Sequence, residues 1–117
     1  MSAAHEAMAL TVENGGATLY ADTLQPVLAQ DGFAVAVGQG AILPAEQVTD
    51  AVLASTARAV AGEFATSLVG TWMPPSGTLV YIDPVVIRAD RMEALRLGVE
   101  HNQRAIYDLG RKKVIWL

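Results

Sequence analysis

A chain of 117 residues fits one domain and is too short for two independent cores. With 52% apolar and 17% charged residues it can bury a core, which excludes global disorder, and its thin charge points to a homodimer whose copies cover each other's apolar surface. The absence of cysteine excludes disulfides, thiolate metal sites and thiol nucleophiles, and the net charge of −4 is unevenly spread. Up to Ile87 a single basic residue, Arg58, stands against eight acids, whereas seven basic residues and four acids follow from Arg88. Fields of opposite sign at the two ends of a chain can steer a partner or a second copy.

The opening "MSAAHEAMALTVENGG" has no basic leader, and His5, Glu6 and Glu13 interrupt its apolar residues. No apolar stretch approaches the length of a membrane span, so a cytoplasmic protein with no membrane partner is expected. Residues 1–14 are Ala-rich with little periodicity and are expected to be loosely ordered, with a single α+β domain over 15–117.

From Ala17 the pattern changes. "ATLYA" and "GFAVAVG" are short β-type runs bounded by Asn14-Gly15-Gly16, Pro26 and Asp31-Gly32, and they predict an antiparallel pair of strands. "LPAEQVTDAVLASTARAVAGEF" predicts the first helix, with Val48, Val52, Thr56, Val60 and Phe64 at helical spacing, Leu53, Ala57 and Ala59 widening the stripe, and Pro44 in its first turn. "SLVGTWM" and "GTLVYI" flank the turn "PPSG" and predict a hairpin carrying Trp72 and Tyr81. Asp83-Pro84 should then break the ladder.

Asp90, with Glu93 three positions on, is a capping arrangement for a second helix whose apolar stripe is Met92, Leu95 and Val99. Ala94 and Gly98, four apart, form a small-residue groove that another backbone could approach. "AIYDL" and "KKVIWL", joined at Gly110-Arg111, predict a second hairpin whose last strand pairs with Ala105 to Leu109. The sum is α+β: a mostly antiparallel sheet built as ββ-α-ββ-α-ββ with two helices on one face.

Several of these segments, "GGATL", "GFAVAV", "GTW", "GTLVYIDPVVI", "DRMEALRLGVEHNQRAIYDL" and the closing "VI", resemble a group of small proteins of actinobacterial phages and mobile elements. That group shares a GxW strand, a VYLD strand, a DRxEALxLG helix and an NQxAIYDL segment. The similarity covers most of the chain from Gly15 and is strongest after Gly70. The last two residues here are more apolar than the polar ends of the group. The resemblance implies a phage-type accessory protein that acts on a host or defence protein, and it brings no catalytic residue with it.

His101, Asn102 and Gln103, followed by Tyr107 and Asp108, are the densest cluster of functional side chains. A histidine near a carboxylate can act as a general base, but the same residues also suit a helix C-terminus, where histidine favours the negative end of the dipole and asparagine accepts the left-handed conformation. Asp83 and Asp90 flank "PVVIRA", yet Asp90 is already a cap, and a metal site needs more oxygen ligands at tighter spacing. "GQGA" at Gly38 to Ala41 lies where a phosphate loop would but lacks the Lys-Ser/Thr of one, and a turn needing flexible φ accounts for it. Trp72, Tyr81, Tyr107 and Trp116 are either an aromatic platform for a peptide or nucleotide, or core and interface anchors.

The turn carrying Arg111 and Lys112 is too small for a nucleic-acid stripe, so no nucleic acid, metal or cofactor is expected. The sequence thus favours a binding protein without catalysis, using residues among Trp72, Tyr81, Asp83, His101, Gln103, Tyr107, Arg111, Lys112 and Trp116. Its alternatives are a small enzyme or ligand binder with a pocket around His101, Gln103, Tyr107 and Asp83, and a minor virion component.

Overall fold

The Ala-rich start, expected to be loosely ordered, is a helix. The structure is a computed structural model that describes residues 2–28 and 30–117, so Met1 of that segment lies outside the described residues. Helix α1 (Ala3–Asn14) begins at Ser2, whose hydroxyl accepts the His5 N–H at 3.1 Å and donates to the Asp50 carboxylate at 2.7 Å. Its inward stripe is Ala4, Ala7 and Thr11. The Thr11 hydroxyl donates to the Ala7 carbonyl at 2.8 Å and lies 2.6 Å from the Thr71 hydroxyl, so a buried polar pair ties the helix to the sheet.

Strands β1 (Gly16–Tyr20) and β2 (Phe33–Ala36) form where the β-type runs predict them, but they do not pair with each other. A strand the sequence leaves unmarked, β3 (Ala41–Pro44), follows, and Pro44 ends it rather than opening a helix. After a 3-10 turn at Ala45–Gln47 comes α2 (Asp50–Phe64), capped by the Thr49 hydroxyl on the Val52 N–H. The hairpin of β4 (Leu68–Trp72) and β5 (Leu79–Arg88) is the predicted one. Asp90 caps α3 (Arg91–Glu100) by accepting the Glu93 N–H, while the Glu93 side chain reaches Arg88 at 3.3 Å. The second hairpin, β6 (Ala105–Asp108) with β7 (Lys113–Trp116), also stands as predicted.

All seven strands join one antiparallel sheet in the order β1-β4-β5-β2-β6-β7, with β3 also on β5. The α+β class is therefore as the sequence indicates, with a third helix added. Alternation along β5 sorts the two faces. Val80 and Ile82 pack with Leu19, Leu53, Ala57, Val60 and Val69 under α1 and α2, and Val86 packs with Ala94 and Ile106 under α3. All three helices thus cover one face. On the other face Val85 and Ile87 meet Ala34, Ala36 and Leu68, and the cover there is Val27, from the β1–β2 connection, together with Leu109.

Asp83-Pro84 does not break β5; its neighbour breaks instead. β2 and β3 lie end to end along one edge of β5, and the register jumps from Ala36 opposite Val85 to Ala41 opposite Ile82. Val37 still donates to the Pro84 carbonyl at 3.0 Å, so Gly38, Gln39 and Gly40 bulge out opposite Asp83 alone. Pro84 accepts from Val37 but has no N–H to return the bond, so the β2 ladder ends there and the bulge begins at the next residue. Asp83 fills the gap by accepting the Gly40 N–H at 2.9 Å.

The glycines of "GQGA" serve close approach, since neither has positive φ. A Cβ on Gly40 would stand 2.0 Å from the Ile82 carbonyl oxygen, and one on Gly38 would strike the Phe64 ring. The Ala94–Gly98 groove receives side chains rather than a backbone, because Gly98 lies against Leu117 and Ile106. Leu53, Val69, Val80 and Ile82 are fully buried, each contributing roughly 1.5–3 kcal/mol.

Two glycine substitutions should move stability in opposite directions. Gly40→Ala forces the bulge off β5 and should cost on the order of 3 kcal/mol. Gly62→Ala, in an exposed turn of α2 with open space around it, should add about 0.5–1 kcal/mol. Urea unfolding of the two variants beside the parent chain measures both.

Candidate functional site

The register that shapes the bulge also brings together three of the residues singled out in the sequence. Trp72 of β4 stands directly opposite Tyr81 of β5, and the ring centroids are 5.1 Å apart with planes tilted by 41°. Asp83 lies two residues along from Tyr81, on the same face of the sheet. This is the helix-free face, in the half that Val27 and Leu109 do not reach.

Gly70 is the residue opposite Asp83, and a Cβ there would come within 2.9 Å of a Val85 methyl. With no side chain at Gly70, the half-buried Asp83 carboxylate sits in a small recess beside the aromatic pair, bordered by the Val85 methyl. Thr18 lies beyond Gly70, and Ile42 of β3 flanks Tyr81 on the other side. Trp72 is 45% exposed and Ile42 41%, on strands whose opposite faces are sealed under helices.

The Asp83 carboxyl is pushed above its ordinary value because burial penalises the charged form, and the Gly40 N–H partly offsets this by stabilising the carboxylate. Among the described residues the ion pair is Arg88 with Glu93, so Asp83 holds its charge without a cationic neighbour.

The remaining candidates lie elsewhere. His101 is the residue that closes α3, donating its N–H to the Leu97 carbonyl, and Asn102 takes the left-handed conformation with φ 56°. The Gln103 amide turns back onto the His101 carbonyl at 3.1 Å. These are helix-terminus roles. Tyr107 is on the helix-free face but at the level of Ile87, two strand spacings and four residues from Asp83, which is about 10 Å across and about 13 Å along. His101, Gln103, Tyr107 and Asp83 therefore do not converge.

Arg111 and Lys112 form the β6–β7 turn, where the Arg111 N–H donates to the Asp108 carboxylate at 3.0 Å. Trp116, opposite Ala105, is 73% exposed at the far edge of the sheet, and Val114 beside it is 51% exposed.

Two shallow depressions mark the surface. One, of about 440 Å³, lies between β3 and α2 along Gly40, Thr56 and Val60, and the other, of about 420 Å³, lies by Tyr20, Pro26 and Leu28. Gly40 and Ala41 of "GQGA" line the first, while none of Trp72, Tyr81, Asp83, His101, Gln103, Tyr107, Arg111, Lys112 and Trp116 lines either. Among the described residues no three of His, Asp and Glu converge as metal ligands would, and no helix is long and apolar enough to cross a membrane. The sequence reading missed Ile42 and Gly70. Ile42 belongs to the unmarked strand, and the value of Gly70 appears only once its partner across the ladder is known. Compared with protein-family models, curated proteins and solved structures, the chain matches none.

Asp83 sets a pH dependence whose sign follows from its raised value. The folded carboxyl keeps its proton to higher pH than the unfolded one, so this stability is full below the unfolded value and is lost as pH rises through the folded value. At neutral pH the buried charge is a cost. Asp83→Asn, which keeps an acceptor for Gly40, should raise the thermal midpoint at pH 7, with the gap closing as the pH falls into the carboxylate range. Asp83→Ala, which orphans the Gly40 N–H, should lie about 1 kcal/mol below Asp83→Asn. Thermal melts of the three proteins from pH 3 to pH 8 check this.

Proposed function

We propose that this chain is a binding protein that docks a partner protein on the bare half of its helix-free sheet face. The observation that carries the reading is the Trp72–Tyr81 pair, two large rings held side by side on an uncovered sheet surface. Rings so placed supply contact area at little entropic cost, which is why aromatic anchors dominate interface energetics. The resemblance to phage and mobile-element proteins supports a host or defence protein as the partner, met in the host cytoplasm. Placing a photoactivated crosslinking residue at Trp72 in an actinobacterial host should give a discrete adduct that the same residue at Arg58, on the helical side, does not give. Equal labelling from both positions, or none from either, would refute the reading.

A second copy has its own place, at β7. Leu117 donates to the Arg104 carbonyl at 2.9 Å, which fixes the phase of the β6–β7 ladder and turns the N–H groups of Val114 and Trp116 outward. The other edges are protected: Pro44 offers no N–H on β3, and Tyr20 and Thr18 of β1 already bond to Gln25 and Val27. Antiparallel pairing about Ile115 would set Val114 against Trp116 of the partner subunit and keep the basic turns apart. Light scattering should give a dimer for the intact chain and a folded monomer for Val114→Lys; a monomeric parent chain would refute the pairing.

A further inference from the structure

The recess beside the aromatic pair is the most selective feature of the bare face. Asp83 carries the one charge among the positions that β1, β3, β4 and β5 turn onto this half, and the register places no lysine or arginine there. Arg58, the sole basic residue before Arg88, is on α2, across the sheet. The carboxylate spends Oδ1 on the Gly40 N–H, and Oδ2 has no donor among the described residues. An acceptor so placed, half-buried and beside two rings, is complementary to a cation that is planar, weakly hydrated and rich in N–H donors.

The spacing fits one group. Tyr81 and Asp83 stand about 7 Å apart along β5, and Trp72 lies on the diagonal at about 7–8 Å. A cation is attracted by a ring within about 6 Å of its centroid, so a guanidinium bonded to the Asp83 carboxylate also reaches the Trp72 or Tyr81 face. An ammonium would satisfy the charge but would neither stack nor bond in the same plane. Gly70 puts no side chain of its own opposite Asp83, where one would compete with the guanidinium, and the Val85 methyl borders that space on one side.

Resting on the reading of this face as the docking surface, we infer that the recess of Asp83, Trp72, Tyr81 and Gly70 takes an arginine side chain of the partner protein. The unpaired carboxylate then has a use that its cap on Gly40 does not explain, because a neutral amide would accept that N–H as well. Its charge is held against burial when no partner is bound and is neutralised on binding, the trade of stability for function seen at recognition sites.

The test uses the full chain carrying Trp116→Phe, so that Trp72 is the one fluorescent indole. Acetyl-Gly-Arg-Gly-amide is titrated at constant ionic strength, beside the same peptide with citrulline, a neutral isostere, in place of arginine. The arginine peptide should give a saturable change in Trp72 emission and the citrulline peptide none, with the response weakened by about tenfold or more in Asp83→Asn and in Gly70→Val. Asp83→Asn keeps the cap on Gly40, so its loss of binding is not a loss of fold, and its melt verifies this.

A citrulline response equal to that of arginine, an unchanged response in Asp83→Asn, or no saturable response at all overturns the inference. The crosslink from position 72 separates this from failure of the docking reading. An adduct that forms equally in Asp83→Asn leaves the docking face standing and removes the arginine. Loss of every position-specific adduct removes both.

Discussion

Asp83 accepts the Gly40 N–H at the point where the edge of the sheet steps from β2 to β3, and the rest of the sheet is arranged around that contact. β5 is ten residues long and carries three neighbours, β2, β3 and β4. Proline would be out of place in such a strand if its missing N–H faced an unbroken partner. Here Pro84 faces Val37, the last residue of the β2 ladder, so its missing N–H falls where the pairing ends, and Asp83 supplies the acceptor that the bulged Gly40 would otherwise lack. The bulge lets one chain segment serve as two short edge strands, each on its own half of β5.

Those halves then have different fates on the helix-free face. Towards Arg88, Val85 and Ile87 are roofed by Val27 and Leu109 and become a second small core. Towards Leu79 the face exposes Trp72 and Ile42, with Tyr81 and Asp83 half-buried between them. The same carboxylate that steadies the bulge is the one proposed to receive the partner's arginine. On the helical face α1, α2 and α3 bury Val80, Ile82 and Val35 completely.

The parts of this arrangement that are local in sequence were legible there. The "PPSG" hairpin, the Asp90 cap and the β6–β7 hairpin each rest on residues within a few positions of one another. α1 escaped because its inward stripe is Ala4, Ala7 and Thr11, small residues that leave little periodic trace even though they are buried. The broad stripe of α2 contained the inward residues Leu53, Ala57 and Val60 but not Ala61, and of its other members Val52 and Thr56 are half-covered and Ala59 is exposed. β3 escaped because "AIL" is too short to signal a strand and leads into residues with helical spacing. Asp83-Pro84 does not end β5 because the interruption falls on the neighbouring strand more than forty residues earlier, after Val37, where Gly40 bonds the Asp83 side chain. Trp72, Tyr81 and Asp83 could be named from the sequence, but their shared recess depends on a cross-strand register that no single stretch contains.

The central claim is that half of one sheet face stands open in solution while the opposite face is sealed, and accessibility to a neutral soluble paramagnetic probe tests it most directly. In proton–nitrogen and proton–carbon spectra the Trp72 indole N–H and the Ile42 methyls should broaden strongly, while the methyls of Leu53, Val80 and Ile82 stay sharp. Protection of Trp72 and Ile42 equal to that of Ile82 would contradict the account, since it would mean that the face is covered in the free protein.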